Sequence, residues 1–560
     1  MATEMVGRAH QFALLRAAVT RALAGRGGVV LVTGEAGIGK TTLVSETAAS
    51  LGKPGDDDGA LVVATVCQGA EGTPGYWPWA QIVRRLRRDL PAGQWRRAAD
   101  AAGGDLSFLL GGTAACPADA RPGEPGPDDA ALRLHDAVAT LLVTVSDDRP
   151  LVVVLDDLHR ADPASVRLLN HLAHHVPFER ILLVAAYRDV EAEAPGHPLA
   201  RALTDLAAKA TTVTLTGLDA AEVAVLMTRT VGREPEPEQA AEVWRRTGGN
   251  PFFVEQTVRL WHSSGTLDSV APRVRDAVEH RLAYLPPKAA ELLGVAAVLG
   301  HDFTRRLLAE VAAVAPAELD ALLNQAVTAR LVMVRGAGRF AFAHDLIRET
   351  LYDALGETDR RRHHAAVVRS LRLSAARGEP VLLSGLARHA ALAVPEVTPT
   401  EAVGHIVTAA RDASARLAAE EAAAHYRSAL DLLPRDRIRE RAEIALELGR
   451  EGERAGDIPT ARRTLNGVVA AARELDDAVL LAHAAVGLYR LGNPTGKDRS
   501  EVDLLDEAAA ALTAQASGET ALLARVLAAA SMARTHQAFD DETGRDLSAR
   551  AVRLARSAGD

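Results

Sequence analysis

Five short apolar runs stand out in the first 220 residues: Val29–Thr33, Leu61–Val66, Leu151–Leu155, Ile181–Ala186 and Thr212–Leu215. Runs of four to six residues with little polar alternation read as strands buried on both faces, as in a parallel sheet. Between them the apolar positions recur at helical spacing. Gln11–Ala24 and Leu43–Ala49 read as helices, and Tyr76-Trp77-Pro78-Trp79 leads into another. Asp162-Pro163 opens a further helix, with Asp as N-cap and Pro in the first turn. Asp219 with Glu222 has the pattern of a capping box. Strands alternating with helices predict a five-stranded, doubly wound parallel α/β sheet whose ligand sits at the strand C-termini.

From about Glu222 the pattern is helical. Gly248-Gly249-Asn250-Pro251 breaks it, and Phe252-Phe253-Val254-Glu255 resumes it. Pro286-Pro287 marks a boundary. Helices are expected at Lys288–Leu299, Thr304–Val314 and Pro316–Thr328, followed by a hairpin of Leu331–Arg335 and Arg339–Ala343. Three helices closed by a hairpin predict a winged helix. Beyond Arg360 everything reads as helix. Ala422, Tyr426 and Leu430 share their spacing with Ala461, Leu465 and Val469. The offset is close to, but not equal to, the ~34-residue tetratricopeptide period. Degenerate helix-pair repeats stacked in a TPR-like solenoid are expected, with a plain helical bundle as the alternative. The predicted division is 1–220, a nucleotide-type α/β domain; 221–286, a helical subdomain; 287–355, the winged helix; and 356–560, the all-α repeats. Gly52–Gly59 reads as a surface turn and Gly111–Asp129 as a mobile loop.

Composition narrows the classes. With 560 residues and 48% hydrophobic content, several cores can form and wholesale disorder is excluded. A net charge of −9 argues against a broad nucleic-acid surface. Two cysteines, Cys67 and Cys116, make no disulfide framework. No signal pattern opens the chain, and no apolar run approaches the ~20 residues needed to cross a bilayer. A soluble, cytoplasmic protein without membrane contact is expected.

The chemistry concentrates in Gly34-Glu35-Ala36-Gly37-Ile38-Gly39-Lys40-Thr41-Thr42, set between the first strand and a helix. That context makes it a phosphate-binding loop, and the fold an α/β P-loop NTPase. Its glycines let backbone N–H groups converge on one point, and the helix N-terminus adds partial positive charge. Lys40 is expected on the β/γ-phosphates of ATP or ADP, and the Thr41 hydroxyl on Mg²⁺. Only five lysines occur in the chain, so a chance lysine here is improbable. Asp156 ends the third strand, where a Mg²⁺-holding carboxylate belongs. Asp157 could polarise an attacking water, and being shorter than Glu it points to slow turnover. The alternative for the pair is a loop N-cap. Arg188 ends the neighbouring strand and could reach a γ-phosphate, or could simply pair with Asp189.

Weaker signals remain. Arg84, Arg85, Arg87 and Arg88 read as a solvated helix face. His171, His174 and His175 share a helix, but no partner carboxylate is evident, so a solvated face is expected there too. Cys67 reads as a small buried hydrophobe, and His363-His364 as an exposed helix start.

Val6-Gly7-Arg8, GEAGIGKTT, LVVVLDDLHRADPAS, Arg188, TGGNPFFVEQ and FAHDLIRETLY occur in that order. Together they resemble the STAND class of signal-transduction ATPases, and within it the AAA-type ATPase module of large ATP-binding LuxR-family regulators. The resemblance covers roughly residues 1–355; the helical remainder is similar, more weakly, to that family's repeat sensor. It implies that Val6, Gly7 and Arg8 line the adenine pocket. It also implies that Gly249, Asn250 and Pro251 contact the nucleotide, with Pro251 against the base, and that His344 touches the β-phosphate of a closed ADP form. The chain departs from the family at Ala9-His10, where an acidic residue often follows Val-Gly-Arg, and at Arg160, where an aromatic is often seen. Family members often end in a helix-turn-helix, and no such DNA-binding signal is found here. The expected function is an ATP-dependent transcriptional-regulator switch. It would be closed with ADP and open and self-associating with ATP, with an effector or protein partner on the repeats. The alternative is a constitutive ATPase or motor.

Overall fold

The computed structural model describes residues 5–51, 59–67, 74–110, 127–192, 197–264, 282, 285–329, 331–336, 338–343, 345–492, 500–515, 519–535 and 541–558. The chain divides into two compact units, one of residues 1–112 and 133–396, the other of 113–132 and 397–560.

In the first unit the five expected strands are β1 (Gly28–Thr33), β2 (Leu61–Val66), β3 (Leu151–Asp156), β4 (Ile181–Tyr187) and β5 (Thr211–Thr214). All pair in parallel, in the order β2-β3-β4-β1-β5. The apolar runs sort by parity, as the period of two requires. Val29, Leu31, Val153, Leu155 and Leu183 face one side, against Trp79, Ile82, Leu134 and Leu168. Val30, Val32, Val152, Val154 and Leu182 face the other, against Leu15, Val19 and Leu43. Burial on both faces explains why the strands lack polar alternation. The phosphate loop follows β1 at the C-terminal edge of this parallel sheet, the edge at which open α/β sheets bind their ligands.

Three helices follow the sheet, at Ala220–Val231, Pro237–Thr247 and Pro251–Ser264. The capping box predicted at Asp219 and Glu222 is formed in both directions. These helices close over their own small core of Leu218, Val223, Met227, Val243, Val254 and Val258. Next, the helices Pro287–Leu299, Arg305–Ala312 and Pro316–Thr328 pack with an antiparallel sheet of β6 (Asp302–Thr304), β7 (Val332–Gly336) and β8 (Arg339–Phe342), ordered β6-β8-β7. The pattern missed β6: three residues are too few to show a period. The helix expected from Thr304 starts at Arg305, because Thr304 closes β6 and caps the helix by accepting from the Leu307 N–H.

Other expectations shift. Of the loop expected at Gly111–Asp129, residues 111–126 lie outside the described residues, as does Cys116, and Pro127 already opens the helix Pro127–Asp148. His363-His364 is not an exposed helix start. His364 is 1% exposed within the helix Glu357–Ala376. Its Nε2 meets the Tyr352 hydroxyl at 3.1 Å and its Nδ1 meets His389 Nδ1 at 2.8 Å. Adjacent residues on a helix point ~100° apart, so one of two histidines can turn inward. The arginines after Trp77 are surface groups: Arg84 lies over the Trp77 ring, and Arg85 and Arg88 pair with Asp89.

The second unit is all helical among its described residues. Ala419–Leu432 with Ile438–Arg454, and Ile458–Glu474 with Ala478–Arg490, are successive helices that pack on one another. Of the positions singled out by spacing, Ala422, Tyr426, Ala461, Leu465 and Val469 are buried and Leu430 is half-buried. Leu465 is seated between glycines of its two neighbouring helices. A Cβ on Gly449 would lie 2.6 Å from Leu465 Cδ2, and one on Gly487 2.9 Å from Cδ1. Leu465→Ala should therefore leave a cavity that the rigid helix backbones cannot fill. Urea unfolding should show a loss of about 2–5 kcal/mol in the transition of this unit, and a change below about 1 kcal/mol would show that the seat collapses freely.

Candidate functional site

A loop whose N–H groups turn inward must turn its carbonyls outward, and each buried carbonyl needs a donor. The loop after β1 meets this demand residue by residue. Lys40 Nζ donates to Gly34 O at 2.7 Å and Glu35 O at 2.8 Å. Asn250 Nδ2 donates to Ala36 O at 2.9 Å. The Phe252 N–H reaches Gly37 O at 3.4 Å, and Arg8 Nη2 reaches Ile38 O at 3.2 Å. The Leu43 N–H returns to Gly39 O at 3.0 Å, closing the first turn of the helix Lys40–Ala49. Gly39 itself has φ of +102°, a left-handed value that any side chain would strain. Gly37 is equally constrained, since a Cβ there would lie 2.8 Å from Phe252 Cβ.

Three of these donors, Arg8, Asn250 and Phe252, come from outside the sheet. Arg8, 3% exposed, also donates to Thr216 O at 2.7 Å, just beyond β5. Its neighbour Gly7 backs onto the Glu222 carboxylate, which belongs to the capping box of the next helix. Val6 lies in the same turn, half-buried. Asn250 and Phe252 belong to the turn that starts the helix Pro251–Ser264. That turn is fixed to the chain after β5 by Leu218 N–H donating to Gly249 O at 2.8 Å and by Trp244 Nε1 donating to Leu218 O at 3.0 Å. Pro251 is half-buried at the helix start.

The carboxylates stand where β3 ends. Asp156 Oδ2 accepts from the Thr41 hydroxyl at 2.7 Å, and Oδ1 from the Asp157 N–H at 3.0 Å. Asp157 adopts φ 53°, ψ 43°, the left-handed region that a non-glycine residue rarely enters. Arg188, at the end of β4, is buried. Burial, with the Arg188 charge behind it, lowers the Lys40 pKa; Asp157, Asp156 and Asp189 oppose this. One lysine, one arginine and three carboxylates thus share one field. The next loop is rigid: Asp162 accepts from the N–H groups of Ser165 and Tyr76, and its other oxygen from the Ser165 hydroxyl at 2.7 Å. Cys67 is buried and donates its N–H to Asp156 O, as a structural residue would.

The donor set fits the groups that the loop motif implies. A Cβ at Gly39 would meet nothing within 4 Å, so the loop leaves open room at its mouth. Thr41, exposed at the helix N-terminus, and Asp156 offer hard oxygen donors of the kind Mg²⁺ takes. Glu35 and Thr42 are exposed, Ala36 half-buried and Ile38 buried. His344 lies outside the described residues.

Residues 4–184 match the AAA ATPase domain family. The chain thus carries a nucleotide-binding P-loop ATPase domain followed by helical repeats. Over 449 residues it is 28% identical to an uncharacterized protein of Rhizobium meliloti, covering 73% of this chain and 41% of that protein. It therefore spans about two fifths of that relative. In structure it is similar to a signal-transduction ATPase with numerous domains from Pyrococcus horikoshii, which has a tetratricopeptide repeat sensor: 16% identity, TM-score 0.43, all of this chain and 78% of that one. It is also similar to Drosophila ORC bound to DNA, at 13% identity and TM-score 0.30, over 62% of this chain and 87% of that one. Among the described residues no helix is long and apolar enough to cross a membrane.

Of the residues that the resemblance implies, Arg8 and Asn250 meet the phosphate loop. The polar groups of Arg8 and Asn250 are engaged on the loop itself, a role that residue type and spacing did not suggest. An asparagine in a Gly-Gly-Asn-Pro turn signals a special turn, not which carbonyl its amide will find. Asn250→Ala should leave the Ala36 carbonyl without its amide donor and weaken ADP binding about tenfold, near 1.4 kcal/mol. Lys40→Ala should abolish binding. Calorimetric titration checks both, with melting curves showing that the fold is kept; unchanged ADP affinity in the Asn250 variant would exclude the clamp.

Proposed function

We propose that the chain is an ATP-binding signal-transduction switch of the STAND type, of the transcriptional-regulator kind, rather than a constitutive ATPase. One observation carries this reading. The carbonyls of the phosphate loop are held by donors from the N-terminal turn and from the helical segment after the sheet, at Arg8, Asn250 and Phe252. A loop that shifts with its nucleotide must then shift those segments, which is what coupling a site to a conformation requires.

In this reading residues 1–220 are the ATPase domain, 221–286 a helical lid, 287–355 an internal winged helix and 356–560 a TPR-like sensor for an effector or protein partner. Lys40 and the loop N–H groups hold the phosphates of ATP or ADP. Thr41 and Asp156 would hold Mg²⁺, which would supply positive charge to offset that of the phosphate oxygens. Val6, Gly7, Arg8 and Pro251 border the base, and His344 meets the β-phosphate of the closed ADP form. Asp157, whose backbone sits in the left-handed region, polarises the attacking water. Arg188 stabilises charge on the γ-phosphoryl oxygens and so distinguishes ATP from ADP. Exchange to ATP opens the closed form and exposes surfaces for self-association.

Nucleotide released from freshly purified, denatured protein and separated by ion exchange tests the locked-switch reading. About one ADP per chain is expected. An empty site with steady, effector-independent turnover would instead favour the constitutive ATPase. Asp157→Asn should keep ATP affinity and lower turnover about 100-fold.

A further inference from the structure

The helix Pro163–His175 carries His171 and His175 one turn apart, the spacing that lets two imidazoles reach one ion. The sequence offered no carboxylate to complete the set. The fold supplies one. The helix Pro127–Asp148 packs alongside and places Asp136 Oδ1 3.0 Å from His171 Nε2. The two imidazole rings lie 4.6 Å apart, inclined at 37°. One ligand atom from each of Asp136, His171 and His175 lies within 4.8 Å of the other two. Ligand atoms around a tetrahedral ion at bonds of ~2.0–2.2 Å are ~3.4 Å apart, so small side-chain rotations close the set.

The neighbouring histidines are engaged elsewhere. His135, its ring 5.5 Å from that of His171, meets the Tyr76 hydroxyl through Nε2 at 3.1 Å. His174 Nε2 meets Lys209 Nζ at 2.9 Å. Four histidines therefore sort into two with other partners and two that face one carboxylate. Asp136 and His175 are exposed and His171 is half-buried, so an ion can enter and keep water as a further ligand. Two imidazoles with one carboxylate suit borderline divalent transition metals; Mg²⁺ and Ca²⁺ prefer all-oxygen sets.

We propose that Asp136, His171 and His175 form a binding site for a zinc-class dication, with water completing the coordination. The ion would clasp two helices that flank the same face of the sheet. One of them begins at Asp162, five residues after Asp157. Metal uptake would thus stiffen the element that anchors the catalytic loop, without touching the nucleotide.

The test uses the full, tag-free chain saturated with MgADP, so that the phosphate-loop metal site is filled. Zn²⁺ is titrated by calorimetry, with Co²⁺ absorption as a second readout. One equivalent is expected to bind, with a rise in Tm and an intense visible Co²⁺ band that reports nitrogen ligands. Asp136→Asn, His171→Gln and His175→Gln should each weaken Zn²⁺ binding more than about 100-fold, and His174→Gln should not. All four should keep wild-type MgADP affinity, which shows that they fold. If the His171→Gln, His175→Gln double variant folds and takes up the same equivalent unchanged, the assignment is overturned. The same holds if the wild-type chain binds no Zn²⁺ beyond the MgADP site.

Discussion

The structure of this ATPase domain turns on where the phosphate loop's carbonyls go. Inward-facing N–H groups make the anion site, but they oblige the chain to provide donors on the other side. A loop closed within its own domain could satisfy them locally. Here Lys40 and the helix it starts satisfy three, and Ala36, Gly37 and Ile38 depend on Asn250, Phe252 and Arg8. A buried carbonyl left without a donor costs ~1–3 kcal/mol, so three of them bind the loop energetically to segments more than 200 residues away in one direction and about 30 in the other.

That dependence unites features that look separate along the chain. The Val-Gly-Arg turn needs glycine because Glu222 presses against it, and Glu222 is held by the capping box with Asp219. The Gly-Gly-Asn-Pro turn is held by Leu218 and Trp244. Both therefore brace the loop from the stretch that follows β5. The opposite side of the site, at Asp156 and Asp157, is set by the end of β3 and by Asp162 at the start of the next helix. The loop sits between a rigid carboxylate side and a side made of separately folded helices, an arrangement suited to differential response.

Much of this was legible in the sequence for physical reasons. Strands buried on both faces leave uninterrupted apolar runs, and the loop motif, Asp156 and the capping box each have a local signature. What escaped was long-range or too short. β6 spans three residues and shows no period. His364 turned inward because Tyr352 and His389 await it, which no local pattern records. Asp136 sits on a helix that follows an uninformative stretch, so its meeting with His171 could only be seen in the fold. The repeats were legible as a pattern of small and large residues, and the seat of Leu465 between two glycines could only be seen in the fold.

In the proposed switch the helical segment reads the nucleotide through the loop. Hydrogen–deuterium exchange of Gly248–Ser264 tests it directly, with the full chain loaded with ADP or with a non-hydrolysable ATP analogue. Different protection is expected in the two states, with loss of that difference in Asn250→Ala. Identical exchange with both nucleotides in the wild-type chain would contradict it, because a clamp that does not respond to the nucleotide cannot report it.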